Sequence, residues 1–174
     1  QEDFESFWNK ALASVKKSPI EPVLKKNSKK SSHKFEIYEV SFFGFMKTLA
    51  KGQLYIPRSK TKPRVIVHIH DYNQKVEFSQ QLLDNSFAYF FLTLRGHAIT
   101  KQQTETDDVE TPGYMIENIL DKETYYVKAV FLDAFRSIDM LRLVTEIDCS
   151  SIGVIGKGFG ASVALFLSIY SQRI

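Results

Sequence analysis

The run 156–161 is the part of the sequence whose residue types and spacing could support chemistry. It reads Gly-Lys-Gly-Phe-Gly-Ala, and it lies between the apolar runs 152–155 and 161–170. A short apolar strand, a glycine corner and a helix that is apolar all round, and therefore expected to be buried, predict one βα unit of a mostly parallel sheet. Corners of this shape either hold a serine nucleophile on a strained turn or bind a pyrophosphate at a helix N-terminus.

Neither kind of corner is complete in this sequence. As a G-x-S-x-G nucleophile elbow it has Gly156 and Gly160, but Gly158 stands where the serine should be, and glycine has no atom that can attack a carbonyl. As a dinucleotide turn it matches at Gly156, Gly158 and Ala161, but it lacks the second strand and the acidic residue expected roughly 20 positions later. A plain tight turn is the third interpretation, and the motif alone leaves all three open.

Length and composition predict one soluble globular domain over 1–174. The chain has 174 residues, 44% of them hydrophobic and 25% charged. We divide it into an N-terminal helix and basic loop (1–34) and a sheet core (35–174). With no apolar run of about 18 residues and no signal peptide, we expect no membrane partner and a cytoplasmic protein, although the initial Gln1 leaves secretion open. The single cysteine, Cys149, predicts a thiol beside the last strand and no internal disulfide.

The net charge of +3 is concentrated near the N-terminus. The lysines of this region are Lys10, Lys16, Lys17, Lys25, Lys26, Lys29, Lys30 and Lys34. A nucleic-acid surface would interleave aromatic side chains with the basic ones, whereas here the lysines alternate with Ser, Asn and Pro. The pattern therefore indicates a solvated loop, and we expect no nucleic-acid partner.

Apolar periodicity predicts the elements that must position the corner. The predicted helices cover 3–17 (with Asp3 as N-cap and an apolar stripe that docks onto the core), 75–85, 123–146 (with one apolar face) and 161–170. The predicted strands cover 35–43 and 48–56, which form an antiparallel hairpin, then 64–70, 87–94 and 152–155. The basic loop covers 18–34, and a polar excursion covers 99–112.

This order of elements is that of the first part of an α/β-hydrolase: an antiparallel hairpin, then a mostly parallel sheet with flanking helices, without the last strands. In such sheets ligands bind at the carboxyl ends of the strands. Three turns, 70–73, 95–97 and 156–160, follow strand ends and should therefore converge. We expect the edge of a pocket to be formed by His70, Asp71, Arg95, His97 and Lys157.

Several further runs, spread over almost the whole chain, carry a family resemblance. They are Asp3-Phe4-Glu5-Ser6-Phe7-Trp8, His70-Asp71-Tyr72-Asn73, Arg95-Gly96-His97, Gly113-Tyr114-Met115, Ile119-Leu120-Asp121 and Tyr125-Tyr126, with Asp133-Ala134 in the long helix. In these runs the chain resembles the N-terminal part of the acetyl xylan esterase and cephalosporin-C deacetylase family, α/β-hydrolases that remove acetyl groups from carbohydrates. This resemblance favours the elbow over the nucleotide site.

The resemblance implies a serine at position 158, backbone donors for the oxyanion at Tyr72 and Phe159, and an Asp and a His from later strands. Gly158 removes the nucleophile, Phe159 replaces the Gln of the family, and Asp71 replaces its Gly. We therefore expect a catalytically inactive member with a binding or scaffold role. One alternative is a carbohydrate acetyl ester hydrolase whose remaining catalytic groups lie on a longer chain. The second is a phosphate or nucleotide binder that uses the glycine corner.

Partners follow from the same pattern. The ligand class that the resemblance implies is an acetylated carbohydrate or a small ester. A His-x-His pair, His68 and His70, could begin a metal site, but no third ligand is evident, so we expect neither a metal nor another cofactor. A sheet that stops after 152–155 leaves a strand edge open, which predicts self-association, a protein partner, or a chain cut from a longer parent.

Overall fold

Six strands form one mixed sheet in the residues that the computed structural model describes, which are 3–59, 61–74, 80, 83–97, 113–172 and 174. The helices are α1 (Phe4–Lys16), α2 (Tyr126–Leu141) and α3 (Phe159–Tyr170), and the strands are β1 (Val23–Lys26), β2 (Phe35–Phe43), β3 (Leu49–Pro57), β4 (Arg64–Ile69), β5 (Phe87–Thr93) and β6 (Asp148–Gly156). The strand order is β1-β2-β3-β5-β4-β6. The helix predicted over 75–85 lies mostly, and the excursion over 99–112 wholly, outside the described residues.

The predicted hairpin is confirmed as the antiparallel pair β2–β3, and β3 continues antiparallel to β5. Strand β2 alternates as its sequence requires, but it feeds both faces of the sheet. Phe35 and Ile37 belong to a small cluster on one face, while Val40 and Phe42 belong to the main core on the other. The second half of the sheet is parallel, since β4 pairs in parallel with both β5 and β6.

Helix α2 lies at the centre of the main core. The predicted apolar face is present, but burial extends beyond it, because α1 and α3 also pack against this helix and the charged side chains of Lys128, Asp133 and Arg136 are buried too. The helix is also shorter than predicted. It starts only at Tyr126, since Tyr125 has an extended backbone with ψ of 131°.

The aromatic stripe of α1 docks onto the core, as predicted. The Trp8 ring lies 5.8 Å from the ring of Phe131 and 4.7 Å from that of Phe166. Asp3 stands at the N-cap position but makes no side-chain capping bond; its carbonyl oxygen accepts a hydrogen bond from the Phe7 N–H at 2.8 Å. The helix is therefore held by aromatic packing rather than by its cap.

The basic segment 18–34 is not loop throughout, which corrects the sequence prediction. Residues Val23–Lys26 form strand β1, paired antiparallel with β2. Lys26 Nζ lies 2.7 Å from the Glu36 carboxylate. Exposed lysines suit a strand at the edge of a sheet because they discourage pairing with another chain. With only Val23 and Leu24 apolar, the strand carries little hydrophobic signal.

The unit formed by β6 and α3 is confirmed, with two corrections. Strand β6 is longer than predicted and contains Cys149. Helix α3 was expected to be buried on all sides, yet only Gly160, Val163, Phe166 and Leu167 are buried, and its Leu165 and Ile169 are 63% and 67% exposed. Across the described ranges, no helix is both long and apolar enough to span a bilayer.

Candidate functional site

Three turns meet at the carboxyl ends of the parallel strands. They are the first turn (70–73, after β4), the second turn (95–97, after β5) and the third turn (156–160, after β6). The backbone N–H of Leu94 donates to His70 Nε2 at 3.0 Å, and that of Asn73 donates to His97 Nε2 at 3.0 Å. These bonds join the first turn to the second. The stretches that the sequence predicted to converge therefore do lie together.

The third turn has the backbone of a nucleophile elbow without its side chain. Gly158 has φ of 54° and ψ of −123°, a conformation that costs a residue with a Cβ about 1–3 kcal/mol. Strained strand-to-helix turns of this kind hold an attacking group above a sheet edge. Gly160 is needed for another reason, since a Cβ there would overlap the carbonyl oxygens of Ile69 and His70. The absence of a side chain at Gly160 thus allows α3 to pack closely against the end of β4.

The carboxylate of Asp71 fills the position that the missing side chain leaves. Asp71 Oδ1 accepts hydrogen bonds from the Tyr72 N–H at 2.8 Å and from the Phe159 N–H at 2.7 Å. These are the two backbone donors that the family resemblance implies for an oxyanion. A Cβ placed on Gly158 would overlap the carboxyl carbon and both oxygens of Asp71. Both donors are therefore engaged by the protein itself.

The sequence placed Asp71 at the edge of the pocket, as a residue that replaces a glycine of the family, but did not predict its contact with the third turn. The available signal was that two neighbouring turns differ from the family in opposite directions, one gaining a side chain at 71 and the other losing one at 158. What the sequence could not show is that the two positions face each other.

Both histidines at the edge are held by the backbone. Since His70 Nε2 and His97 Nε2 each accept an N–H, the proton of each ring lies on Nδ1. His70 Nδ1 is 2.6 Å from the Asp71 carbonyl oxygen, and His97 Nδ1 is 3.1 Å from that of Arg95. Burial lowers the pKa of His70 and so favours its neutral form. Neither ring has a nitrogen left to serve as a general base or a metal ligand.

The guanidinium of Arg95 is committed to a buried ion pair rather than to the pocket. Its Nε lies 2.9 Å from Asp133 Oδ2 and its Nη2 lies 2.9 Å from Asp133 Oδ1. Nη2 also donates to the Phe45 carbonyl at 2.9 Å, and Nη1 donates to Thr48 Oγ1 at 3.1 Å. The bidentate geometry, with a Phe45 N–H donating to Asp133 at 2.7 Å, ties the β2–β3 connection to α2.

Tyrosines of two runs that carry the family resemblance, 113–115 and 125–126, form hydrogen bonds at or near the second turn. Tyr126 Oη donates to the Arg95 carbonyl at 2.9 Å, and Tyr114 Oη donates to that of Gly96 at 3.2 Å. The Tyr114 and Tyr126 rings are stacked at 5.5 Å, and burial raises the pKa of Tyr126. Tyr125 Oη donates to the Met115 carbonyl at 3.0 Å. These tyrosines therefore support the second turn and the segment that contains Met115.

Aromatic rings flank the first and third turns. The Tyr72 ring lies 5.3 Å from the His97 ring and 6.4 Å from the Phe159 ring, both edge-on. Lys157, the remaining predicted edge residue, is exposed beside them. Within the described part of the chain, no group of three or more His, Cys, Asp and Glu side chains could hold a metal ion. The edge thus presents one carboxylate, aromatic surface and a solvated lysine.

The chain is similar to known acetyl esterases over its whole length. The family model for acetyl xylan esterase (AXE1) matches residues 1–174. Among curated proteins, the acetyl esterase Axe7A of Xylanibacter ruminicola is 21% identical over 183 residues, covering 99% of this chain and 42% of that protein.

Two solved structures show the same fold. The acetyl xylan esterase from Paenibacillus sp. R4 is 28% identical with a TM-score of 0.84, covering 99% of this chain and 57% of its own. Acetyl xylan esterase 1 from Thermoanaerobacterium sp. JW/SL YS485 is 20% identical with a TM-score of 0.83, covering 99% of this chain and 56% of its own. The predicted fold, the first part of an α/β-hydrolase, is confirmed. The chain spans about half the length of these relatives.

Proposed function

Since the family model matches all of residues 1–174, the chain belongs to the acetyl xylan esterase (AXE1) family, and we propose that it is a catalytically silent member with a binding or scaffold role. The observation that carries the proposal is the third turn. It keeps the elbow backbone, but Gly158 has no nucleophile and the Asp71 carboxylate lies in that space. An acyl transfer needs an attacking atom and free donors for the oxyanion.

The two histidines at the edge do not replace the missing groups. Serine-type hydrolysis requires a base whose free nitrogen takes the hydroxyl proton. His70 and His97 each use both ring nitrogens in backbone hydrogen bonds. Their geometry therefore supports a positioning role, in which they hold the first and second turns together.

A ligand of the class that the family implies, an acetylated carbohydrate or a small ester, would bind by its sugar or alcohol portion. Its carbonyl oxygen would find the Tyr72 and Phe159 donors occupied. The aromatic rings at the edge offer the apolar surface on which a sugar face can pack. Phosphate or nucleotide binding is less well supported, because a negative carboxylate already stands at the N-terminus of α3.

One observation favours the alternative of an ester hydrolase completed by a longer chain. The relatives are about twice as long as the matched region, since 42% to 57% of each is covered. Later residues could then supply an Asp and a His. This alternative still lacks a nucleophile at 158, so it requires that Asp71 leave the space and that another group attack.

A partner at the β6 edge is part of the proposal. Among the described strands, β6 pairs only with β4, and its residues 149–156 carry no charge, whereas the opposite edge strand β1 carries Lys25 and Lys26. Ile155 of β6 is 49% exposed, and Leu165 and Ile169 of α3 are exposed as well. Open, uncharged strand edges pair readily with other chains. We therefore expect another strand to cover this edge, from a partner or from further residues of a parent chain.

Acetate release from acetylated xylo-oligosaccharides tests the proposed silence. The wild-type chain, a Tyr72→Ala variant and a Lys157→Ala variant are each incubated with the substrate, and acetate is measured over time. We expect release at the buffer rate in all three. Release by the wild-type and Lys157→Ala chains that is lost in Tyr72→Ala would place turnover at this site and contradict the proposal.

A further inference from the structure

We propose that the backbone N–H groups of Tyr72 and Phe159 form a carboxylate-binding site whose resident ligand is the side chain of Asp71. The protein thereby fills its own oxyanion hole. The inference deepens the proposed function and rests on it for the identity of the hole. It adds that the two donors can still bind an anion, and that the Asp71 side chain, rather than a loss of the donor geometry, keeps other anions out.

The geometry of the donors supports a competent site. Both N–H groups point at one atom, Asp71 Oδ1, at 2.8 Å and 2.7 Å, within the range of charge-assisted hydrogen bonds. Phe159 is the first residue of α3, a helix of 12 residues, and a helix N-terminus favours negative charge. Two convergent donors at the positive end of a helix are what an oxyanion requires.

The internal ligand also caps the helix. The N-cap residue of α3 is Gly158, which makes no side-chain capping bond. Asp71, 88 positions earlier in the chain, supplies the missing acceptor from the end of β4. Through this bond, the Asp71 carboxylate joins the end of β4 to the start of α3. Removing it should therefore loosen the elbow as well as open the anion site.

The same carboxylate excludes external ligands from the donors. An acetate ion or an ester carbonyl would have to displace Asp71 Oδ1, which is tethered and needs no translational entropy to bind. An acetate oxygen in the hole would also lie beside a carboxylate of the same charge. The wild-type hole is therefore closed to acetate, whereas a variant without the side chain is open to it.

The first experiment measures the structural part of the inference by thermal unfolding. Asp71→Ala should lower the melting temperature by roughly 4–8 °C through the loss of two charge-assisted bonds. Asp71→Asn, which keeps an acceptor oxygen of the same shape, should lower it by less than half of that. The matched control is Asp148→Ala, because that carboxylate accepts a hydrogen bond from the N–H of Ser150, two residues along the chain, at 2.8 Å. Equal melting temperatures for Asp71→Ala and the wild type would overturn the inference.

The second experiment uses sodium acetate as the probe of the opened hole. Asp71→Gly should gain a saturable rise in melting temperature of roughly 2 °C or more relative to sodium chloride of the same ionic strength. Acetate should also move the amide ¹H–¹⁵N signals of Tyr72 and Phe159 in that variant and leave them fixed in the wild type. Acetate-dependent shifts of these amides in the wild type, or their absence in a folded Asp71→Gly, would contradict the inference.

The two proposals fail in different ways. Acetyl ester turnover by the wild-type chain would contradict the proposed lack of catalytic activity, whether or not acetate binds to Asp71→Gly. A folded Asp71→Gly variant without an acetate site would end the carboxylate-site inference and leave the silence untouched. If Asp71→Gly does not fold, Asp71→Asn carries the test, since its weaker acceptor should let acetate compete and shift the same two amides.

Discussion

Gly158 and Asp71 face each other so closely that a Cβ on the glycine would overlap the carboxylate of the aspartate. The first sits at the elbow before α3, and the second follows β4. Each position therefore limits what the other can hold. A serine at 158 and an aspartate at 71 cannot share the observed arrangement, so the two positions are sterically coupled.

The single change Gly158→Ser should not restore a working elbow. It adds a Cβ to a residue with φ of 54° and forces it against Asp71, so we expect the free energy of unfolding to fall by about 1–3 kcal/mol from the backbone strain, with the overlap adding to that loss. Urea unfolding measures this loss. No gain in ester hydrolysis should accompany it.

The double change Asp71→Gly with Gly158→Ser tests the coupling. Because the overlap disappears in the double variant, its loss of stability should be smaller than the sum of the two single losses, by about 0.5–3 kcal/mol. Strictly additive losses would show that the two positions are independent, contrary to the geometry.

The ion pair between Arg95 and Asp133 should be a main determinant of stability. Asp133→Ala leaves a largely buried guanidinium without its partner, so we expect a loss of about 3 kcal/mol in the free energy of unfolding. Lys26→Ala, which breaks the exposed pair with Glu36, is the control and should cost at most about 1 kcal/mol. Similar losses in the free energy of unfolding for Asp133→Ala and Lys26→Ala would contradict the stabilising role of the Arg95–Asp133 ion pair.

Stability should decrease on acidification because of His70. Burial holds its folded-state pKa below the ordinary histidine value of about 6.5, so the unfolded chain binds the proton first as the pH falls. The stabilisation is complete above about pH 6.5 and decreases progressively below that value. A His70→Gln variant should show a flatter dependence between pH 7 and pH 5, measured by urea unfolding, whereas His33→Gln, at an exposed position, should match the wild type. Parallel pH profiles for the wild type and His70→Gln would refute this assignment.

The open edge of β6 predicts self-association of the chain. Light scattering at high protein concentration should reveal species larger than a monomer. Ile155→Lys, which places a charge on the half-exposed strand, should reduce them. Val23→Lys on the already basic β1 is the matched control and should have little effect. A wild-type chain that stays monomeric under these conditions would contradict self-association through this edge.

The sequence predicted the fold well where local patterns and tertiary structure agree. The alternation of β2 and β3, the apolar runs of β4 and β5, and the glycine corner before α3 each specify one local structure. Their order then identifies the sheet. The failures have physical causes. Strand β1 is held by pairing with β2 and carries lysines, so it has almost no hydrophobic pattern of its own.

Burial was harder to predict than element type. Helix α2 shows one apolar stripe in sequence, yet it buries Lys128 and Asp133 because their charges are paired with Glu123 and Arg95. Helix α3 is apolar on all sides but exposes Leu165 and Ile169. Which faces of a helix are buried depends on the elements that pack against it, and the spacing of apolar residues within the helix does not specify those elements.

The sequence predicted that the three turns converge, but not the contact between Asp71 and the third turn. It shows a glycine at 158, and the family resemblance implies Tyr72 and Phe159 as backbone donors and Asp71 as a replacement for glycine. That a side chain after β4 enters the space left before α3 depends on how two turns distant in sequence pack together. Only the three-dimensional structure gives that distance.

Hydrolysis of p-nitrophenyl acetate by the wild-type chain is the most direct test of the central claim, that this family fold carries no working acyl-transfer site. We expect nitrophenol release above buffer never to exceed the slow, stoichiometric acetylation of surface amines. Sustained release of many nitrophenol molecules per chain would contradict the claim.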